Sequence, residues 1–191
     1  MRWDIPTRLA FLVATPLIWI GVADIDHSAI GLQLNLTGLD WLLTALLTDV
    51  AALASLVYRR WLWRPQLSPD RKALILELPF FGVLNPFAEE LFFRGGALFG
   101  LAILVGMPWA IVVTSVVFGV HHVFAKFPIS FLVFGTLGGT LFGIVTAHFQ
   151  SLAPAVLMHA GADLAVFVSS GLVANRFWGI RRHMTGDASS H

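Results

Sequence analysis

The sequence predicts an all-α fold, a polytopic membrane bundle of about six to seven transmembrane helices, and three observations carry that expectation. Of 191 residues, 57% are hydrophobic and only 12% charged, and the mean hydropathy is +0.80, a composition that suits lipid rather than water. Apolar runs of the length that crosses a bilayer, roughly 20 residues each, follow one another with short connections. The basic residues collect at the ends of those runs, where they report orientation.

The first run, residues 9–23, follows Arg2 and Arg8. No small-residue cleavage pattern precedes Asp24 and Asp26, so it is expected to be a retained span rather than a signal peptide. The second, residues 39–58, ends at Arg59, Arg60, Arg64, Arg71 and Lys72. Residues 73–105 are too long for one straight span and contain Pro79 and Asn85-Pro86; each proline removes a backbone donor, which predicts a shorter helix and then a span from about Phe87. Gly106-Met107-Pro108 turns the chain into a fourth run at 109–123, and Lys126 with Pro128 turns it into a fifth at 129–147. After a turn at 150–154, a last run at 155–174 reaches Arg176, Arg181 and Arg182. The positive-inside rule then puts both termini in the cytoplasm, in a protein expected in the cell membrane. The organisation is one integral membrane domain, 1–191, with a polar tail at 185–191 expected to be disordered. In the fifth run Gly135, Gly139 and Gly143 recur every four residues beside Thr136 and Thr140, a face that lets a neighbouring helix approach closely.

Composition also excludes chemistry. A net charge of +1 argues against nucleic acid as a partner, and the absence of cysteine removes disulfides, thiolate nucleophiles and sulfur-ligated metals. Membrane lipids are the expected surroundings.

Ionisable residues inside spans cost roughly 2.5 to 3.5 kcal/mol each at the bilayer centre, so they need a partner or a role. Glu90 and Arg94 are four apart and form a helical ion pair. Glu89 points about 100° away from Glu90 and is left to act as a base or acid. Phe118 lies one turn from His122 and covers it; His121, on another face, reads as a bystander. His159 and Asp163 are again four apart, so the carboxylate is placed to fix the imidazole tautomer. His27, His148, His183 and His191 fall in connections, at a span end or in the tail, and Asn85 and Asn175 read as helix termini. A base, a polarising imidazole and an oxyanion stabiliser are what water attack on an amide requires, and no Ser or Cys sits beside a base as a nucleophile. Two His with Asp and Glu would equally suit a zinc ion, bound by Glu89, His122, His159 and Asp163.

In order and spacing, Glu89–Arg94 (E-E-x-x-x-R), Phe118–His122 (F-x-x-x-H) and His159–Asp163 (H-x-x-x-N/D) resemble the CPBP family, the CAAX-processing and bacteriocin-processing intramembrane proteases. The resemblance covers about residues 79–174. It implies an all-helical membrane enzyme that cleaves peptide bonds near the ends of membrane-associated substrates. Glu89 and His122 would activate water, His159 and Asp163 would face the oxyanion, and Glu90, Arg94 and Phe118 would support them. The family was first described as metalloproteases and is now more often viewed as glutamate-based; a metal-free mechanism is favoured here, with zinc as the alternative. The prenyl-protein branch carries Asn at the last position. An ionised Asp163 cannot donate to an oxyanion, so it must be protonated, orient His159 or bind a metal. The expected activity is therefore an intramembrane endopeptidase acting on a membrane-anchored or membrane-proximal protein or peptide. The rivals are a non-catalytic peptide-binding or immunity protein and a small transporter, for which no inverted repeat is found.

Overall fold

A computed structural model describes residues 4–23, 27–63, 78–125 and 127–168. Among them the secondary structure is helical and no strand occurs. Helix α1 is Asp4–Ala23 and α2 is Gly38–Tyr58, prolonged by a π-type turn at Arg59–Trp63. Helix α3 is a run of four consecutive pieces, Phe80–Leu84, Asn85–Glu90, Leu91–Leu98 and Phe99–Val105. Helices α4 (Met107–Phe124), α5 (Ser130–Phe149) and α6 (Ala153–Asp163, prolonged through Leu164–Val168) complete the bundle. Three stretches, Gly38–Leu62, Met107–Phe124 and Ser130–Phe149, are long and apolar enough to cross a membrane, and Ala10–Val22 and Ala153–Val166 are shorter apolar helices. The expected bundle of membrane helices is what the chain forms. The tail at 185–191, and the histidines and arginines beyond residue 168, lie outside the described residues.

The expected break at Asn85-Pro86 does not occur. The Asn85 backbone N–H donates to the Phe80 carbonyl, five residues back. This widened turn holds one extra residue just where Pro86 lacks a donor and where its ring would crowd the preceding turn. The helix therefore absorbs the proline and continues, which keeps Asn85 and Glu89 on one face of one element.

Local chemistry fixes the other ends. Thr37 and Asp40 form a reciprocal capping box at the start of α2, with the Thr37 N–H donating to Asp40 Oδ2 at 2.8 Å. Gly106 turns α3 into α4 at φ 81°, a left-handed value that a side chain would strain. Across the end where α5 meets α6, Ser151 Oγ donates to the Gln33 carbonyl at 2.6 Å and Leu152 N–H to the Gly31 carbonyl at 2.9 Å.

The core forms where α3 is enclosed. Leu12 and Ile20 of α1 pack on Ala88, Leu91 and Phe93, while Ala51 of α2 meets Phe142, Val145, Ala155 and Met158. The glycine face of α5 lies against α4: a Cβ on Gly119 would fall on the Thr136 hydroxyl, and one on Gly135 would come within 3.3 Å of Gly119 Cα. At the end of the bundle where α2 finishes, Tyr58 stacks on Phe134 with ring centres 4.3 Å apart, and its hydroxyl meets Ser130 Oγ at 2.9 Å.

Candidate active site

Three helices bring the polar residues to one place. Glu89 comes from α3, His122 from the last turn of α4, and His159 and Asp163 from α6, and all four are buried. Glu89 Oε2 lies 3.7 Å from His122 Nε2 and 3.8 Å from His159 Nε2. Those separations are too long for a direct hydrogen bond and close enough for the charge of Glu89 to act on both rings. The three motifs thus meet at one level.

Each imidazole is held at its other nitrogen. His122 Nδ1 lies 2.8 Å from the Phe118 carbonyl, an acceptor only, so Nδ1 carries the hydrogen and Nε2 is left facing Glu89. The rings of Phe118, Phe131 and Phe127 surround His122 at 4.5, 4.9 and 5.3 Å. His159 Nδ1 lies 2.8 Å from Glu90 Oε1, and its ring stacks on Phe142 at 5.4 Å. Asp163 stands farther off, with Oδ1 3.5 Å from His159 Nε2. His159 therefore has a carboxylate at each ring nitrogen, Glu90 the nearer at Nδ1 and Asp163 at Nε2.

Glu90 and Arg94 pair as their spacing requires, Nη1 to Oε1 at 3.2 Å, with both side chains fully buried. A buried guanidinium needs more than one carboxylate, and two further features supply it. Nη2 donates to the Gly139 carbonyl at 3.0 Å, and the charge lies 4.4 Å over the Phe118 ring and 5.5 Å over that of Phe142. A Cβ on Gly139 would come within 3.0 Å of that same Nη2, so the close-packing face of α5 also opens a backbone acceptor to the site.

Two residues make contacts that the sequence reading did not give them. His121, taken as a bystander, turns its Nε2 to within 4.0 Å of Glu89 Oε1 and is partly exposed. Asn85, taken as a helix terminus, is buried inside α3, and its Nδ2 donates to Asp163 Oδ2 at 3.1 Å. The signal for Asn85 was available, since it lies one helical turn before Glu89 and shares its face.

The site opens on a cavity of about 270 Å³ whose polar wall is His122, His159 and Asp163, with Val50 and Ser55 of α2 and Leu141 of α5 on its other sides. The Nε2 atoms and the Glu89 carboxylate are the donors a zinc ion would use. As placed, no group of three or more His, Asp or Glu among the described residues could hold a metal ion.

Comparison with known proteins supplies the family. Residues 71–165, about half of the chain, match the family described as type II CAAX prenyl endopeptidase Rce1-like. No curated protein and no solved structure matches. The matched segment begins and ends slightly before the 79–174 expected from the motifs, and it contains Glu89, Glu90, Arg94, His122, His159 and Asp163. Through this half, which carries the buried carboxylates, the paired arginine and the facing histidines, the chain belongs to the Rce1-like family of CAAX-type intramembrane proteases.

Proposed function

We propose that the protein hydrolyses a peptide bond near the membrane end of a membrane-anchored protein, using Glu89 as a general base and no metal. One observation carries the reading: a fully buried carboxylate stands less than 4 Å from imidazole nitrogens of two other helices. Burial makes a carboxylate costly unless it is paired or used.

In this mechanism a water gives one hydrogen to Glu89 and turns the other toward the bare Nε2 of His122, so that its oxygen attacks the scissile carbonyl carbon. Negative charge then develops on the carbonyl oxygen. His159, in its doubly protonated form and flanked by Glu90 and Asp163, donates from Nε2 to that oxygen. The carbon–nitrogen bond breaks as the proton held by Glu89 passes to the leaving amine, which restores the carboxylate. Asp163, an acceptor, orients His159 rather than binding the oxyanion.

The orientation follows from the basic clusters. With both termini and the loop after α2 in the cytoplasm of a cell-membrane protein, the site lies in the cytoplasmic half, since His122 is two residues from the end of α4. The apolar cavity walls suit the membrane-proximal end of a substrate. The test is cleavage of farnesylated peptides ending in a CAAX sequence by detergent-purified wild type and Glu89→Gln, each with and without a chelator. Cleavage lost in the variant and unmoved by chelator is the expected result. Chelator-sensitive cleavage restored by zinc would replace this mechanism with a metal-dependent one, and equal cleavage by both proteins would remove Glu89 from it.

A further inference from the structure

Resting on that hydrolytic reading, we propose that Asn85 is a positioning residue: its amide holds the Asp163 carboxylate in the orientation that faces His159. His159 lies between two carboxylates brought from different helices, Glu90 at Nδ1 and Asp163 at Nε2. Each carboxylate has its own anchor on α3. Glu90 is held by Arg94 one turn after it, and Asp163 by Asn85 one turn before Glu89.

The two anchors leave the carboxylates unequally fixed. The Glu90 contact is short at 2.8 Å and wholly buried, whereas Asp163 is 3.5 Å from the ring and borders the cavity. A carboxylate at a cavity wall rotates about its last torsion unless something grips it. Asn85 grips the oxygen that does not face His159, Oδ2, and so leaves Oδ1 toward Nε2. The position is a costly one for an amide. Asn85 is 7% exposed, and a buried amide is costly unless it is hydrogen-bonded, so a purely apolar residue would serve packing better. Among the described residues Asp163 is the one hydrogen-bond partner of the Asn85 side chain. The continuous winding through Pro86 makes the contact possible, because a break there would free Asn85 from the face that carries Glu89.

The test needs no substrate. Protein labelled with nitrogen-15 in histidine, in lipid nanodiscs, gives ring resonances for His159 that are identified by their loss in His159→Gln. Asn85→Leu, which keeps size and removes the donor, should move those resonances. In the Asp163→Ala background the same substitution should leave them where Asp163→Ala alone puts them, because a residue acting through Asp163 has nothing further to act on. Equal displacement in both backgrounds, or none in either, overturns the proposal. Asn85→Ser, a milder change measured alongside, gives the same comparison if Asn85→Leu does not fold. On a farnesylated CAAX peptide in the same nanodiscs, Asn85→Leu should lower kcat by about 10- to 100-fold with KM within about threefold. An unchanged kcat denies Asn85 a part in the reaction. Full activity of Glu89→Gln would sink the hydrolytic mechanism yet leave the ring result standing, so the two failures are distinguishable.

Discussion

The two ends of α3 obey opposite rules although they belong to one helical run. From Asn85 to Arg94 it carries an amide, two carboxylates and a guanidinium, all buried, each with a partner on another turn or another helix. From Phe99 to Val105 none of its residues is buried, and Ile103 and Leu104 are 81% and 80% exposed to the surroundings. In water this would be inside out. In lipid it is consistent, because apolar side chains need no burial there while every charge needs a protein partner. The comparison teaches that hydropathy marks where lipid touches the chain, whereas the site is marked by polar residues that the rest of the bundle must enclose.

Arg94→Met should break the contrast most severely. It leaves Glu90 buried without its cation, and removing one member of such a pair costs about 3–5 kcal/mol; thermal melting in detergent should show a large loss of stability together with lost cleavage. Next, His122→Phe keeps an aromatic ring in its aromatic cage and removes Nε2, so cleavage should fall about 10²- to 10³-fold while the melting temperature stays close to that of the parent. His121→Phe, at a longer distance and partly exposed, should cost less than about tenfold in the same assay. A smaller effect is expected at the packing face: Gly119→Ala drives a methyl onto the Thr136 hydroxyl and the Leu132 carbonyl, an overpacking of about 1–3 kcal/mol, read as a lowered melting temperature. Smallest of all, Leu104→Ala on the lipid-facing end should stay within about 0.5 kcal/mol. A large loss there would show that this surface is covered by something other than lipid.

Much of this is legible in the sequence. The apolar runs mark the helices to within a few residues, and spacing alone pairs Glu90 with Arg94 and Phe118 with His122, because residues four apart on a helix must meet. What spacing could not give was any contact between helices. Glu90 to His159 spans 69 residues and Asn85 to Asp163 spans 78, and each depends on how far one helix is rotated and raised against another. The break expected at Pro86 failed for a local reason: a proline forbids an ordinary helical turn, and a π-type turn evades the prohibition by adding a residue. A 100° offset separates His121 from His122 on an isolated helix, yet Glu89 has two oxygens and stands within 4.0 and 3.7 Å of the two rings.

The size of the cavity sets a condition on anything that is to be cut. At about 270 Å³ it lies at the small end of the roughly 300–1,000 Å³ range of ligand pockets, the scale of a short stretch of extended chain. A folded domain presented whole does not fit in it, whatever sequence it carries. Under the hydrolytic mechanism proposed above, selection at this site would begin with mechanics: a substrate would have to offer an extended, unstructured end, and recognition of particular residues would be a second filter applied only to chains that have passed the first.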